Sequence, residues 1–310
     1  MSTDAFVVVG VATCRRPDGL RRLADSLASL DPVPGARLGL VVVDNDADGS
    51  GGAAATDAAA VTGWPTTYVV EDDPGIPAAR RRVVREALGI GADAVVFIDD
   101  DEIARPDWLH RLVEHWRASG ADLVTGPSHR LLPDDAPAWA RHSDLFDPTG
   151  RRPTGERMSK AYTNNLLVSR QALQALPEPF DDAFRYTGSS DLHFSIRARR
   201  AGHTIEWCEE AVVDEHVDAS RLTWHWYVRR AYRSGAGDAV ARRMIGGWSA
   251  VPGVVARAVL RAGHGAVLAP LALLRPDLRP LAVRRLASGV GTIAGLSGHR
   301  YEEYRRPAGR

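Results

Sequence analysis

The chain has 310 residues, 45% apolar and 25% charged, which is enough length and apolar content for a substantial buried core. Its 39 Lys and Arg balance 39 Asp and Glu, so no global basic field argues for nucleic acid, and no nucleic-acid partner is expected. Cys14 and Cys208 are far apart and form no CxxC, which excludes a disulfide framework or cysteine zinc site and suits a reducing cytoplasm.

In chain order, the first half alternates short apolar runs with helical patterns. AFVVVGVAT is an unbroken apolar run, too short for a signal peptide and without a basic segment before it. DGLRRLADSLASL then spaces Leu20, Leu23, Leu27 and Leu30 as a helix would. RLGLVVVDN is a second run, and the Ala/Gly-rich ADGSGGAAATDAAAVTG reads as a loop and a weak helix. TTYVVE reads as a strand, IPAARRRVVREALGIG as a helix, DAVVFID as a strand and PDWLHRLVEHWRASG as a helix. Pro77 and Pro106 sit where first-turn prolines are tolerated, and Gly89, Gly91 and Gly120 where helices stop. Strands apolar on both faces, separated by amphipathic helices, predict an α/β fold with a mostly parallel central sheet covered on both sides.

From about residue 127 the regularity fails, in a long segment rich in Pro, Asp and Arg that includes Arg151, Arg152, Arg157 and Lys160. A strand TNNLLVSR follows, then a helix from near Ser190, a strand pair HTIEWCEEAVVDEHV and a helix RLTWHWYVRRAYRSG. The remainder reads as helical, and no run of about 20 uninterrupted apolar residues marks a spanning helix.

The run Ala94 to Ile98 ends in four acids, Asp99, Asp100, Asp101 and Glu102. Ligands of open parallel sheets bind at the carboxyl ends of strands, where Thr13 to Pro17 and Asp44 with Asp46 also fall. Clustered carboxylates call for a hard cation, and Mg²⁺ or Mn²⁺ bridging to phosphate oxygens suits them. In an extended Asp-x-Asp, Asp99 and Asp101 point one way and Asp100 the other. A solvated acidic turn before the helix is the competing reading. A haloacid-dehalogenase-like phosphatase would carry its Asp-x-Asp after the first strand, and a dehydrogenase a GxGxxG there. GVATCRRPDG has neither.

The segments VGVATCRRPDGLRRLADSL, VVVDND, PGIPAARRRVV, VVFIDDDEIARPDWL, NNLLVSR, TGSSDLHFSIRARRAG and RLTWHWYVRRAYRSG resemble, in that order, motifs of family 2 inverting glycosyltransferases with the GT-A fold. FIDDDE…WL with WCEEAVVDEHV…R is most similar to succinoglycan-type β-glucosyltransferases of bacterial exopolysaccharide synthesis. The resemblance implies a Rossmann-like GT-A catalytic domain over residues 1–235 and a helical C-terminal extension over 236–310. It implies transfer of a hexose from a nucleotide-diphosphate sugar, UDP favoured, to a hydroxyl of a glycan, lipid-linked saccharide or secondary metabolite. Asp99 and Asp101 would hold Mn²⁺ or Mg²⁺ with His216 as a third ligand, and Asp99 and Asp100 would adjoin the nucleotide. Thr13, Arg15, Pro17 and Asp44 would line the nucleotide pocket, Arg80 would approach the phosphates and Asn165 the sugar. Asp191 takes the place of the catalytic base.

Those residue types suit the chemistry. A departing diphosphate needs cationic stabilisation, and an incoming hydroxyl needs a carboxylate to take its proton. The chain departs from the family twice, with Ser190 where Glu is usual and Arg81 where Asn is usual. Ser190 leaves a rival reading, a non-catalytic sugar-nucleotide-binding or scaffolding protein of the same fold. The arginine-rich, apolar C-terminal stretch suits a helical cover on the catalytic domain or an in-plane anchor at the inner membrane leaflet. The expected location is cytoplasmic, peripheral to that leaflet in the second case.

Overall fold

The computed structural model describes residues 4–146 and 151–299. Residues 147–150 of the irregular segment and 300–310 of the expected extension lie outside the described residues. The first half comprises β1 (Ala5–Thr13), α1 (Pro17–Ala28), β2 (Ala36–Asp44), α2 (Gly52–Thr62), β3 (Thr66–Val70), α3 (Ile76–Gly89) and β4 (Ala94–Ile98). There follow β5 (Glu102–Ala104), α4 (Trp108–Ser119), β6 (Leu123–Thr125), β7 (Ser128–Leu131), α5 (Ala138–Arg141), β8 (Asn165–Ser169) and α6 (Arg170–Ala175). The last third holds α7 (Ser190–Arg200), β9 (Ile205–Trp207), β10 (Val213–His216), α8 (Trp224–Gly246), α9 (Val251–Leu274) and α10 (Arg279–Leu296).

Among the described residues the main sheet has the order β3-β2-β1-β4-β8-β6-β9. β1, β2, β3 and β4 pair in parallel, as do β6 and β9, while β8 runs antiparallel to both β4 and β6. The double-sided burial expected of the apolar runs is present. In β1, Val7, Val9 and Val11 enter one core and Phe6 and Val8 the other, because successive side chains alternate across the sheet. The first core is closed by Leu20, Leu23 and Leu27 of α1 and by Trp108, Leu109 and Leu112 of α4. Val83, Val84 and Ala87 of α3 and Leu173 of α6 close the second. Strand order reverses at β1, with β2 on one side and β4 on the other, so the carboxyl ends of these three strands share one edge.

Tertiary structure refines two sequence expectations. The two strands expected after α7 are present but lie in different sheets: β9 extends the main sheet beside β6, while β10 joins a small sheet of order β5-β10-β7. The helix from Trp224 does not stop near Gly235 but continues to Gly246. Glycine costs a helix interior about 1 kcal/mol, but a Cβ at Gly235 would strike the Ser288 carbonyl of α10, so close packing decides the residue.

By contacts the chain divides into two units. The first is Met1–His129, Arg151–Arg185 and Phe194–Glu215; the second is Arg130–Gly150, Tyr186–His193 and His216–Arg310. Residues 235 and 236, the expected domain boundary, fall inside α8. The second unit is built on α8, α9 and α10, with a small core of Ala140, Phe146, Val217 and Tyr227. Around Tyr227 the rings of Trp139 and Trp224 stack at 4.3 Å and those of Phe146 and Trp226 at 6.0 Å.

Candidate active site

Residues 99–101 do not continue β4 as an extended strand. The Glu102 amide donates to the Asp99 carbonyl at 3.2 Å, which makes a turn and starts β5. The turn changes the expected sidedness of the acids. Asp100 and Asp101 both accept from Arg16 Nη1, at 3.1 and 3.0 Å, and Asp99 pairs with Arg80 at 3.4 Å. Asp100 is buried and also accepts the Thr13 hydroxyl at 2.8 Å, tying the end of β1 to the end of β4. Gly19, in the first turn of α1, lies so near that a Cβ there would sit 2.7 Å from the Asp100 carbonyl.

Asp99 and Asp101 are half-buried, whereas Glu102 is buried and accepts from Ser128 and Asn164, at 3.0 and 2.8 Å. Antiparallel pairing sets Glu215 of β10 directly opposite Glu102. Burial pushes the Asp99 carboxyl up to about 6, against Arg80 and helped by Asp101, Asp100 and Glu215. Burial first, then Asp99 and Glu215, raises Glu102 well above the ordinary range. Negative charge is therefore concentrated at this edge beyond what the fold comfortably holds.

The other predicted residues are distributed as follows. Arg15 lies in the β1–α1 loop with φ 55°, its Nε 3.2 Å from Asp46, and Pro17 opens α1. Asp44 is fully buried. Its Oδ1 accepts from the Asp46 amide at 3.1 Å, and its Oδ2 accepts from the Gly51 amide at 2.6 Å and the Tyr68 hydroxyl at 3.1 Å. Burial and this carboxylate push the Tyr68 hydroxyl up to about 12. Arg81, at the second departure from the family pattern, bonds the Phe180 carbonyl at 2.6 Å and Asp182 at 2.9 Å and is part of the scaffold. Arg152, Arg157 and Lys160 engage Glu156, Glu206 and the Tyr162 ring within the first unit.

Asn165 corrects the sequence reading. It is 1% exposed; its Oδ1 accepts from Trp108 Nε1 at 2.9 Å, and its Nδ2 donates to the Pro127 and Ala211 carbonyls at 3.0 and 2.7 Å. The side chain knots four segments together rather than facing a sugar. The neighbouring Asn164 is the one that reaches the acids. Sequence reasoning passed over Glu215, included Arg16 only as part of the loop Thr13 to Pro17, and gave Asn164 no role beside the acids.

Asp191 stands in the first turn of α7, half-buried, and accepts from the Leu192 amide at 2.8 Å. Two left-handed residues, Gly188 at φ 73° and Ser189 at φ 74°, lead into that turn. Ser190 is buried. His216 is exposed at the end of β10, and strand alternation turns it away from the side on which Glu215 is buried.

Among the described residues, no three His, Cys, Asp or Glu side chains gather as a ready-made metal site, so the expected trio of Asp99, Asp101 and His216 is not assembled. Magnesium-like ions, however, need only one or two protein carboxylates and complete their shell with water and substrate phosphates. The oxygen-only donors Asp99 and Asp101 fit that requirement.

Comparison with known proteins agrees with this architecture. Residues 8–176 match glycosyl transferase family 2, and residues 94–276 match glycosyl transferase family group 2. The chain is 32% identical to the succinoglycan biosynthesis protein ExoM of Rhizobium meliloti over 295 residues, 94% of this chain and 92% of that protein. Among solved structures it resembles the mannosyltransferase PcManGT from Pyrobaculum calidifontis, solved in complex with GDP-Man and Mn²⁺. That match has TM-score 0.62 and 19% identity, over 93% of this chain and 86% of that one. S. aureus TarS matches with TM-score 0.52 and 13% identity over 96% of this chain and 55% of that one. The parallel sheet with its acidic strand end, the length of the family match and the full-length relative lead to one conclusion: the chain belongs to glycosyl transferase family 2 and is a glycosyltransferase of the GT-A fold.

Proposed function

We propose that the protein transfers a hexose, with inversion, from a nucleoside-diphosphate sugar, UDP favoured, to a hydroxyl of a saccharide or lipid-linked saccharide. The supporting observation is the turn at residues 99–101, with two half-buried carboxylates beside Arg16 and Arg80 at the carboxyl edge of the sheet. Asp99 and Asp101 would hold Mn²⁺ or Mg²⁺, which when bound neutralises charge developing on the departing diphosphate. Arg80 and Arg16 supply fixed positive charge for the same group. The acceptor oxygen attacks the anomeric carbon, its proton passes to the Asp191 carboxylate, and the bond from that carbon to the diphosphate oxygen breaks with the electron pair leaving on the diphosphate. The Leu192 amide, 2.8 Å from Asp191 Oδ1, orients the accepting carboxylate. The C-terminal helices α9 and α10 serve as an extension, and the enzyme works in the cytoplasm, peripheral to the inner leaflet.

Calorimetry with UDP, GDP and dTDP, each with and without Mn²⁺, tests the donor assignment on wild type and Asp101→Ala. Metal-dependent binding of UDP that disappears in the variant is the expected result. Binding of no nucleotide in either condition reduces the acid run to a solvated turn and ends the proposal.

A further inference from the structure

The outer face of α9 reverses the polarity of a water-facing helix. Its exposed positions include Val259 (61%), Leu260 (72%), Val267 (68%), Leu273 (76%) and Leu274 (83%), and His264 is the one ionisable side chain among them. The charged residues of the helix, Arg257 and Arg261, are turned inward instead. Arg261 lies 3.7 Å from Asp238 of α8 and 3.5 Å from the Thr292 hydroxyl of α10. The inward side is otherwise small: Ala258 and Gly265 are buried, and a Cβ at Gly265 would sit 2.8 Å from the Ala282 carbonyl of α10. Soluble proteins rarely leave an apolar face of this extent open to water.

Charge identifies the occupant. Residues 224–299 carry eleven arginines, no lysine and two acids, Asp238 and Asp277, in a chain whose formal charge is zero overall. Trp248, 80% exposed beside the start of α9, has the amphipathic ring favoured at a membrane–water boundary. A protein partner would meet the apolar face without needing that cationic surround. An anionic lipid surface uses both, since acyl chains take the apolar side chains and headgroup phosphates take the guanidiniums.

We infer that α9 lies in the plane of an anionic bilayer surface, its outward apolar face seated at the headgroup–acyl boundary and the exposed Arg275 and Arg279, just beyond its C-terminus, at phosphate level. By length and composition the helical stretch Trp224–Leu274, which ends with α9, is long and apolar enough to cross a membrane. A spanning orientation of α9 would, however, carry Arg261, near its centre, together with the Asp238 and Thr292 it faces, into hydrocarbon. The in-plane orientation keeps them at the headgroups. The inference gives the peripheral-contact reading its surface and lipid class, and it is independent of the donor site.

Flotation of the full chain with phosphatidylcholine vesicles, with and without phosphatidylglycerol, tests it on wild type and on the triple variant Leu260→Glu, Val267→Glu, Leu274→Glu. Wild type is expected to float with the anionic vesicles alone, less so as salt rises, and the triple variant to lose at least about tenfold in partitioning. Unchanged melting temperature and unchanged Mn²⁺–UDP binding in the variant would show that fold and donor site are intact. Equal flotation of wild type and variant overturns the inference. So does resistance of the cellular protein to alkaline carbonate extraction, or a lipid-free dimer that the triple variant disperses. Vesicle binding without nucleotide binding would reject the donor reading and leave this inference standing.

Discussion

Glu102 and Glu215 stand directly opposite each other across β5 and β10, 2% and 7% exposed, so the small sheet pairs two buried carboxyls where strands ordinarily set opposite or neutral partners. Ser128 and Asn164 donate to Glu102 and favour its charged form, but burial together with Asp99 and Glu215 outweighs them. The folded state therefore holds a proton on Glu102 to higher pH than the unfolded chain, whose value is near 4.5. By linkage, this stability is present below that value and is lost as pH rises through the elevated folded value.

Glu215→Gln removes the like charge and is expected to stabilise the metal-free protein by about 1 kcal/mol near neutral pH, with the gain vanishing in acid. Thermal melts in chelator at about pH 4.5 and about pH 8 measure the difference. A variant no more stable than wild type at the higher pH would show that the pair is already neutralised within the fold.

Asn165→Ala should behave as a loss of scaffold. It leaves the Trp108 indole N–H and the carbonyls of Pro127 and Ala211 without their shared partner, at a cost of about 2–4 kcal/mol. Denaturant unfolding reads that loss, and donor affinity of the surviving folded fraction should stay within about twofold of wild type. Full stability with lost affinity would return Asn165 to the sugar.

Gly237 of α8 carries the turn that precedes Asp191. A Cβ there would overlap the Ser189 hydroxyl and lie 2.8 Å from the Ser189 Cβ, and Ser189 already holds a left-handed φ of 74°. Gly237→Ala should destabilise the protein by about 1–3 kcal/mol and lower kcat with little change in donor affinity. Ser189→Gly relieves both the overlap and the backbone strain, so the double variant should recover most of the lost stability and activity. Strict additivity of the two substitutions would mean that the turn and α8 are not coupled.

Much of the fold was legible because its signals are local. A strand buried on both faces must be apolar at every position, so β1, β2 and β4 declare themselves residue by residue, and Leu20, Leu23 and Leu27 declare the buried side of α1. The acid run was equally plain, since no core accommodates Asp99 through Glu102 without special provision. Less legible was the turn that sends Asp100 and Asp101 together to Arg16, because it depends on Glu102 entering β5 and pairing with β10, more than a hundred residues away. Asn165 looked like a ligand-facing residue for the same reason: its partners come from Trp108, Pro127 and Ala211, which no periodicity connects.

The sequence by itself determined the parallel α/β architecture, the strand edge that carries the acids and the family they signal, because periodicity and motif order are written in neighbouring residues. Tertiary structure decided which buried carboxyls stand opposite each other, which asparagine meets the acids, why α8 runs on through its glycines, and which way the arginines of α9 face. Those outcomes rest on long-range approach of backbone and charge, where a single contact distance settles what composition leaves open.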